Sequence, residues 1–189
     1  KVFETDYPYH VTCTVVEWLE LLKPDAVKQI IIDSLRFLKD EGAIKIFTYV
    51  IMNNHLHLIL SSDNLVKNMC RFKSFTARQI IDYYKEQSNI QEIERSGAEP
   101  RDEDNTNSGY EALLCSPEIL RLLGNLNPEY HTDSEYQFWQ EGYCPKQIMS
   151  FDIFQQKIDY IHLNPVRKGY VESPEEWKWS SASSDGLIE

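Results

Sequence analysis

The segment 55–60, in which leucines alternate with His55, His57 and Ile59, is the feature that most restricts how this chain can fold. Side chains two apart on a β-strand point to the same face of a sheet. His55 and His57 are therefore predicted to stand side by side, while the leucines of the segment anchor the opposite face in a core. Two imidazoles on a rigid strand supply half of a divalent-metal site. The alternative is a chance pair of histidines on a half-buried strand.

Length and composition limit the class of protein. The 189 residues suit one domain, and a hydrophobic share of 42% is enough for a core. No apolar run reaches about 18 residues, so a membrane-spanning helix is not predicted. The four cysteines are scattered without CxxC spacing, which indicates reduced, buried thiols in a cytosolic protein. They are Cys13, Cys70, Cys115 and Cys144.

The net charge of −11 argues against a simple nucleic-acid binder, because proteins that grip phosphate backbones usually carry basic excess. The carboxylates crowd into residues 92–103 and 172–176, however. Much of the negative charge is therefore expected to lie away from any binding face.

The hydrophobic periodicity predicts strands at 9–18 and 44–52, and a third strand that carries the histidine pair and ends near residue 61. It predicts helices at 25–41, 65–87 and 150–164. The order strand, helix, strand, strand, helix opens a ferredoxin-like α+β sandwich, in which helices pack on an antiparallel sheet. The polar segment 88–108 is predicted to be a mobile loop, and 88–135 an insertion in a single domain of residues 1–189. A short helix at 111–123 and a strand or extended segment at 136–143 complete the pattern.

The final predicted helix carries a polar face. Ser150 is its expected N-cap, and Pro165 marks its end. Lys157, Tyr160 and Asn164 project to one side, and Tyr160 and Asn164 are i and i+4 neighbours. A tyrosine phenol is a weak nucleophile unless charge or a metal assists it. A tyrosine that packs its ring and wets its hydroxyl is therefore the alternative.

Several motifs in this order resemble the REP-associated tyrosine transposases, which belong to the wider class of single-tyrosine HUH transposases from insertion sequences. The resemblance rests first on DYIHLNPVRKGYV at residues 159–171 and on YVIMNNHLHLI at 49–59. It extends to residues 9–12, 138–143 and 174–181, and it leaves out roughly residues 88–135. A set of motifs is far more specific than any one of them.

The resemblance implies a HUH endonuclease-type fold and a concrete chemistry. His55 and His57 would be metal ligands, Asn164 the third protein ligand, and Tyr160 the nucleophile. An oxygen ligand beside two imidazoles suits Mg²⁺ or Mn²⁺. Tyr160 would attack phosphorus in single-stranded or hairpin DNA, form a 5′-phosphotyrosine link and release a 3′-hydroxyl. Repeated palindromic elements are the implied partners of a bacterial, cytoplasmic, nucleoid-associated protein that is a monomer or a homodimer.

Basic residues suggest where DNA could lie. Four of them fall within an arc of roughly 40° on the helix predicted at 65–87, and two more flank the predicted nucleophile. The candidates are Lys67, Arg71, Arg78, Lys85, Lys157 and Arg167. Each is equally compatible with a solvated lysine or arginine.

Two other functions stay open at this point. A non-catalytic DNA-binding or regulatory protein could use the same scaffold. An unrelated metal hydrolase could use the histidine pair and keep Tyr160 for a structural purpose.

Overall fold

The computed structural model of the chain describes residues 7–97, 117–126, 135–142, 144–183 and 187. The chain divides into two compact units. Lys1–Thr76 together with Trp139–Glu189 forms the first unit, and Ala77–Phe138 forms the second. A single domain with an insertion at 88–135 stays a prediction.

The first unit is built on a four-stranded antiparallel sheet. Its strands are β1 (Tyr9–Thr14), β2 (Lys45–Ile51), β3 (His55–Ser61) and β4 (Lys146–Gln147), in the spatial order β2-β3-β1-β4. Both faces of β3 are buried, with leucines on one face and His55, His57 and Ile59 on the other, and β3 pairs with β1 from His55 to Leu60. The predicted α+β fold with an antiparallel sheet is confirmed.

The described residues form five α-helices. They are α1 (Asp25–Asp40), α2 (Leu65–Gly97), α3 (Pro117–Asn125), α4 (Phe151–His162) and α5 (Asn164–Arg167). Ser150 caps α4 as predicted, because its hydroxyl accepts a hydrogen bond from the backbone N–H of Ile153 at 3.3 Å. None of the described helices is long and apolar enough to cross a membrane.

Two of the predicted helix ends are wrong. α2 continues to Gly97 and takes in the first ten residues of the predicted loop 88–108. The Gln, Glu and Arg residues there are good helix formers in spite of their polarity, and the Ser88 hydroxyl donates to the Tyr84 carbonyl at 2.9 Å. At the other end of the chain, α4 stops at His162, and Pro165 lies in the first turn of α5, where its missing N–H costs nothing.

Two of the predicted strands are also shorter in the structure. β1 ends at Thr14, and the chain then enters a 3-10 turn over Val16–Trp18. In the segment 136–143, Trp139 makes one isolated bridge with Val15, and the described part of that segment forms no regular strand. Tyr143 lies outside the described residues.

The cysteines are only partly as predicted. Cys13, Cys70 and Cys144 are free thiols, but only Cys13 is buried. Cys70 and Cys144 are exposed, since the first lies on the outer side of α2 and the second in an irregular segment. Cys115 lies outside the described residues.

The C-terminal segment covers the edge of the sheet at β2. The Ile51 N–H donates to the Trp179 carbonyl at 2.8 Å, and the Trp177 indole N–H donates to the Ile51 carbonyl at 2.9 Å. Ser180 bridges to Val50. An edge strand that is paired in this way cannot recruit another strand at those positions.

The second unit also buries apolar side chains. It consists of the C-terminal part of α2, α3 and the segment that leads to residue 138. Its buried apolar side chains among the described residues are Ile80, Ile81, Tyr84, Ile119, Leu123 and Phe138. The predicted helix at 111–123 corresponds to α3, whereas residues 111–116 lie outside the described part of the chain.

Candidate active site

The register between β1 and β3 collects polar side chains on one face of the sheet. Thr12 lies opposite His57, and Thr14 lies opposite His55. Residues directly opposite each other in an antiparallel pair share a face, and so do residues two apart on one strand. His10 therefore joins the two predicted metal ligands on this face.

Hydrogen bonds orient both histidines of the pair. The Nδ1 atom of His57 is bonded to Thr12 Oγ1 at 2.9 Å and to His10 Nε2 at 3.3 Å. The Nδ1 atom of His55 donates to Asn54 Oδ1 at 2.7 Å, because an amide oxygen can only accept. This bond fixes the tautomer of His55 and leaves the Nε2 lone pair for a ligand.

Helix α4 packs on the same face. Ile161 is fully buried in a cluster with Val50, Met52, Ile59 and Ile148. Because Ile161 faces the sheet, the side chain of Tyr160 lies at the edge of the contact between α4 and the sheet. The ring of Tyr160 accordingly lies 5.5 Å from the ring of His57, centroid to centroid, and stays 39% exposed.

The ring of Tyr160 also lies 6.4 Å from the ring of His10, edge to face. His10, His55, His57 and Tyr160 are called the histidine–tyrosine cluster below. The structure thus brings the predicted nucleophile together with the histidine pair, about a hundred residues away in the chain.

Asn164 is buried at the start of α5, one turn after Tyr160. Its Nδ2 donates to the Tyr160 backbone carbonyl at 2.8 Å. The side-chain amide is thereby held against the backbone of the predicted nucleophile, and its Oδ1 remains the acceptor atom.

Cations surround the cluster in spite of the acidic total. The Lys157 ammonium lies 5.5 Å and the Arg167 guanidinium 5.3 Å from the centre of the Tyr160 ring. Lys146 and Lys157 act electrostatically on His10, and Lys168 acts on His55. The local charge is positive where the chain as a whole carries −11.

Burial keeps the imidazoles neutral. It lowers the pKa of His10 and of His55 to about 4, with smaller effects from the neighbouring lysines. Burial is also the main reason that the pKa of His57 is lowered to about 3. Electrostatic effects of His55, His10 and Lys157 lower it in the same direction. Neutral imidazole is the form that binds a metal.

The four predicted DNA contacts on α2 do not form one common group. Lys67 is exposed, and Arg71 forms an ion pair with Glu41 at 2.9 Å. Arg78 and Lys85 belong to the second unit, where the Lys85 ammonium lies 4.8 Å from the centre of the Tyr136 ring. None of the four is part of the histidine–tyrosine cluster.

Sequence reasoning missed His10 and Thr12. Both lie at alternating positions of the first strand, so the period of two was present, but the partner strand and its register were not known. His162 is not part of the histidine–tyrosine cluster. Its Nε2 is bonded to Thr48 Oγ1 and to Ser181 Oγ, each at 2.9 Å, so it links α4 to the C-terminal segment.

The donor set fits a divalent cation only if the amide is counted. Among the described residues, no group of three His, Cys, Asp or Glu side chains could hold a metal ion. The predicted set consists of His55, His57 and the amide oxygen of Asn164. Oriented neutral imidazoles with free Nε2 atoms and an amide oxygen are suitable ligands for a transition-series cation.

The family described as "Transposase IS200 like" matches residues 4–94, just under half of the chain. This range includes β1, the histidine pair on β3 and most of α2. The resemblance predicted from the motifs is confirmed. No curated protein sequence matches this chain.

Two solved structures align with this chain. The structure of a REP-associated tyrosine transposase bound to a REP hairpin has a TM-score of 0.52 and 15% identity, and covers 100% of this chain and 86% of its own. At that identity the likeness shows the fold. A proposed transposase from Deinococcus radiodurans R1 has a TM-score of 0.43 and 15% identity, and covers 85% of this chain and 92% of its own.

Nitrogen-detected NMR of the metal-free protein tests the state of the imidazoles. Because burial lowers their pKa values to about 4 and about 3, His55 and His57 are expected to stay neutral from pH 8 down to pH 5. His55 should show the tautomer protonated at Nδ1. A histidine in an unstructured peptide, which titrates near pH 6.5, is the control. Midpoints near 6.5 in the protein, assigned with single His→Gln variants, would contradict this description.

Proposed function

We propose that this chain is a transposase that cleaves and rejoins single-stranded or hairpin DNA through a covalent bond between Tyr160 and a DNA 5′-phosphate. The observation that carries the proposal is the position of Tyr160. Its ring lies 5.5 Å from that of His57, yet 39% of the residue is exposed. A purely structural tyrosine would gain more from burying its ring.

The covalent step uses the tyrosine hydroxyl. Tyr160 Oη attacks the phosphorus of a phosphodiester and forms the Oη–P bond while the bond from phosphorus to the 3′-oxygen breaks. The phenol proton passes to solvent, and the departing 3′-oxygen takes up a proton and leaves as a hydroxyl. Attack of a 3′-hydroxyl on the phosphotyrosine reverses these changes, rejoins the DNA and restores the phenol.

The cations near the Tyr160 ring would offset the negative charge of the DNA. Lys157 and Arg167 lie close enough to Tyr160 to contact the phosphate that it attacks, and Lys146 and Lys168 lie near the histidines. Charge that develops on the phosphate oxygens is stabilised by donors that are already in place. A local basic group of this kind supports DNA binding by a chain whose total charge is negative.

The histidine pair and Asn164 would hold Mg²⁺ or Mn²⁺. His55 and His57 would contribute Nε2, since their Nδ1 atoms already have partners, and Asn164 would contribute Oδ1. A bound divalent cation would polarise the scissile phosphate. Asn164 would also keep the Tyr160 backbone in position relative to these ligands through its bond to the Tyr160 carbonyl.

Hairpin DNA is the proposed partner. The described fold resembles that of a REP-associated tyrosine transposase bound to a REP hairpin, so hairpins from repeated palindromes are the first substrates to test. Lys67, Arg78 and Lys85 are proposed as further contacts to phosphates, whereas the ion pair with Glu41 favours a structural role for Arg71. We further propose a cytoplasmic, single-domain protein with an insertion at 88–135 that acts as a monomer or a homodimer.

A denaturing gel with labelled hairpin DNA and Mn²⁺ tests the reaction. The chain should form a covalent DNA adduct, and Tyr160→Phe should abolish it while affinity for the uncleaved hairpin changes less than about twofold. Tyr170→Phe is the matched control, because Tyr170 is equally exposed but stacks on Trp177 at 5.3 Å.

The other outcomes point to other functions. Tight binding without an adduct across a broad set of hairpins would favour a non-catalytic DNA-binding protein. Cleavage that persists in Tyr160→Phe would favour a metal hydrolase.

The Thr12 hydroxyl allows a separate test of the metal ligands. Thr12→Val keeps the shape of the side chain but removes the nearer of the two partners of His57 Nδ1, at 2.9 Å, and leaves only His10 at 3.3 Å, so affinity for Mn²⁺ should fall by about tenfold in a calorimetric titration. Thr14→Val is the control, since Thr14 lies opposite His55, whose Nδ1 is held by Asn54. Equal affinities in both variants and the wild type would count against metal binding through His57.

A further inference from the structure

Trp18 combines exposure with an unusual backbone. The residue is 56% exposed, and its φ of 57° lies in the left-handed region, as does the φ of 52° at Glu17. Two consecutive residues other than glycine in this region cost free energy that the surroundings must repay. Such strain is typical of functional sites, whereas an indole left in water gains nothing from burial.

The turn that presents Trp18 is tied to the loop before the histidine strand. The Trp18 N–H donates to the Val15 carbonyl at 3.1 Å, and the Val15 N–H donates to the Asn54 carbonyl at 2.9 Å. The side-chain Nδ2 of Asn54 donates to the Trp18 carbonyl at 3.2 Å. The backbone of Trp18 is therefore held in a defined position beside the histidine strand, although its indole is exposed.

The same asparagine positions a proposed metal ligand. Asn54 Oδ1 accepts the Nδ1–H of His55 at 2.7 Å, while its Nδ2 holds the Trp18 carbonyl. The Trp18 and His55 rings lie 5.6 Å apart with an interplanar angle of 69°. One side chain thus fixes both an exposed aromatic surface and a member of the histidine–tyrosine cluster.

The other three tryptophans have structural roles in the fold. Trp139 and Trp179 are buried, and their indole N–H groups donate to Thr76 and to Asp25, at 3.0 and 3.1 Å. Trp177 is half-buried and bonded to β2. Trp18 is set apart from all three by its exposure, its strained turn and its place beside His55.

We infer that Trp18 is a stacking platform for one unpaired base of the DNA strand that lies across the histidine–tyrosine cluster, and that Asn54 sets the distance between this platform and His55. The inference rests on the proposed function for the identity of the ligand. Every base has a π-face, so an indole can hold an unpaired base without reading its identity. The adjacent carboxylate of Glu17 repels phosphate, which favours a base over the backbone at this point.

Binding of hairpin DNA with single-stranded flanks, measured in EDTA so that no cleavage occurs, tests the platform. Trp18→Ala should weaken binding by about fivefold or more, and Trp18→Phe by much less, because a phenyl ring still stacks. Abasic residues placed one at a time along the flanks should weaken wild-type binding at one position. At that position Trp18→Ala should cause no further loss, since the two changes remove the same contact.

Phe37→Ala is the matched control. Phe37 is also 56% exposed, but it lies on α1 and is not in a strained turn, so its removal should leave affinity unchanged. Thermal unfolding of all variants checks that the exposed substitutions leave the fold intact.

The results separate the platform from the reaction. Wild-type affinity in Trp18→Ala, with every abasic position tolerated, would overturn the platform even if the adduct at Tyr160 forms. Coupling between Trp18 and one abasic position without any adduct would support the platform and overturn the proposed reaction. Failure to bind any of these hairpins would count against both.

Discussion

The pairing of β1 with β3 is the constraint on which the candidate site depends. With Thr12 opposite His57, the polar residues of two strands share one face, and the leucines of β3 are buried on the other. A shift by one residue would move every side chain of a strand to the opposite face. Such a shift would take the leucines of β3 out of the core. Their burial therefore determines which face of the sheet carries the histidines.

Burial and hydrogen bonding act together at this face. Packing of α4 through Ile161 removes water from the imidazoles, which lowers their pKa values and keeps them neutral. A buried polar atom without a partner is costly, and each Nδ1 of the pair has one, in Thr12 or in Asn54. The arrangement leaves Nε2 as the atom that can accept a ligand, beside a tyrosine that remains open to solvent.

The sequence predicted side-chain positions correctly where the periodicity of one strand or one helix determined them. The period of two placed His55 and His57 on one face, and the period of 3.6 placed Tyr160 on the exposed side of α4. His10 and Thr12 could not be found in this way, because the register between strands separated by some forty residues is not a local property. The extension of α2 was hidden by polar residues that form helix as readily as loop. The turn at Trp18 gave no signal, since left-handed backbone is usually announced by glycine.

Mass spectrometry of the protein–DNA adduct tests the central claim, that the nucleophile is the tyrosine next to the histidine pair. Trypsin should release residues 158–167 as one peptide, because Lys157 and Arg167 bound it, and Tyr160 is its single tyrosine. After nuclease digestion this peptide should carry one nucleotide joined through its 5′-phosphate to Tyr160. A nucleotide on any other tyrosine, with the 158–167 peptide unmodified, would contradict the account.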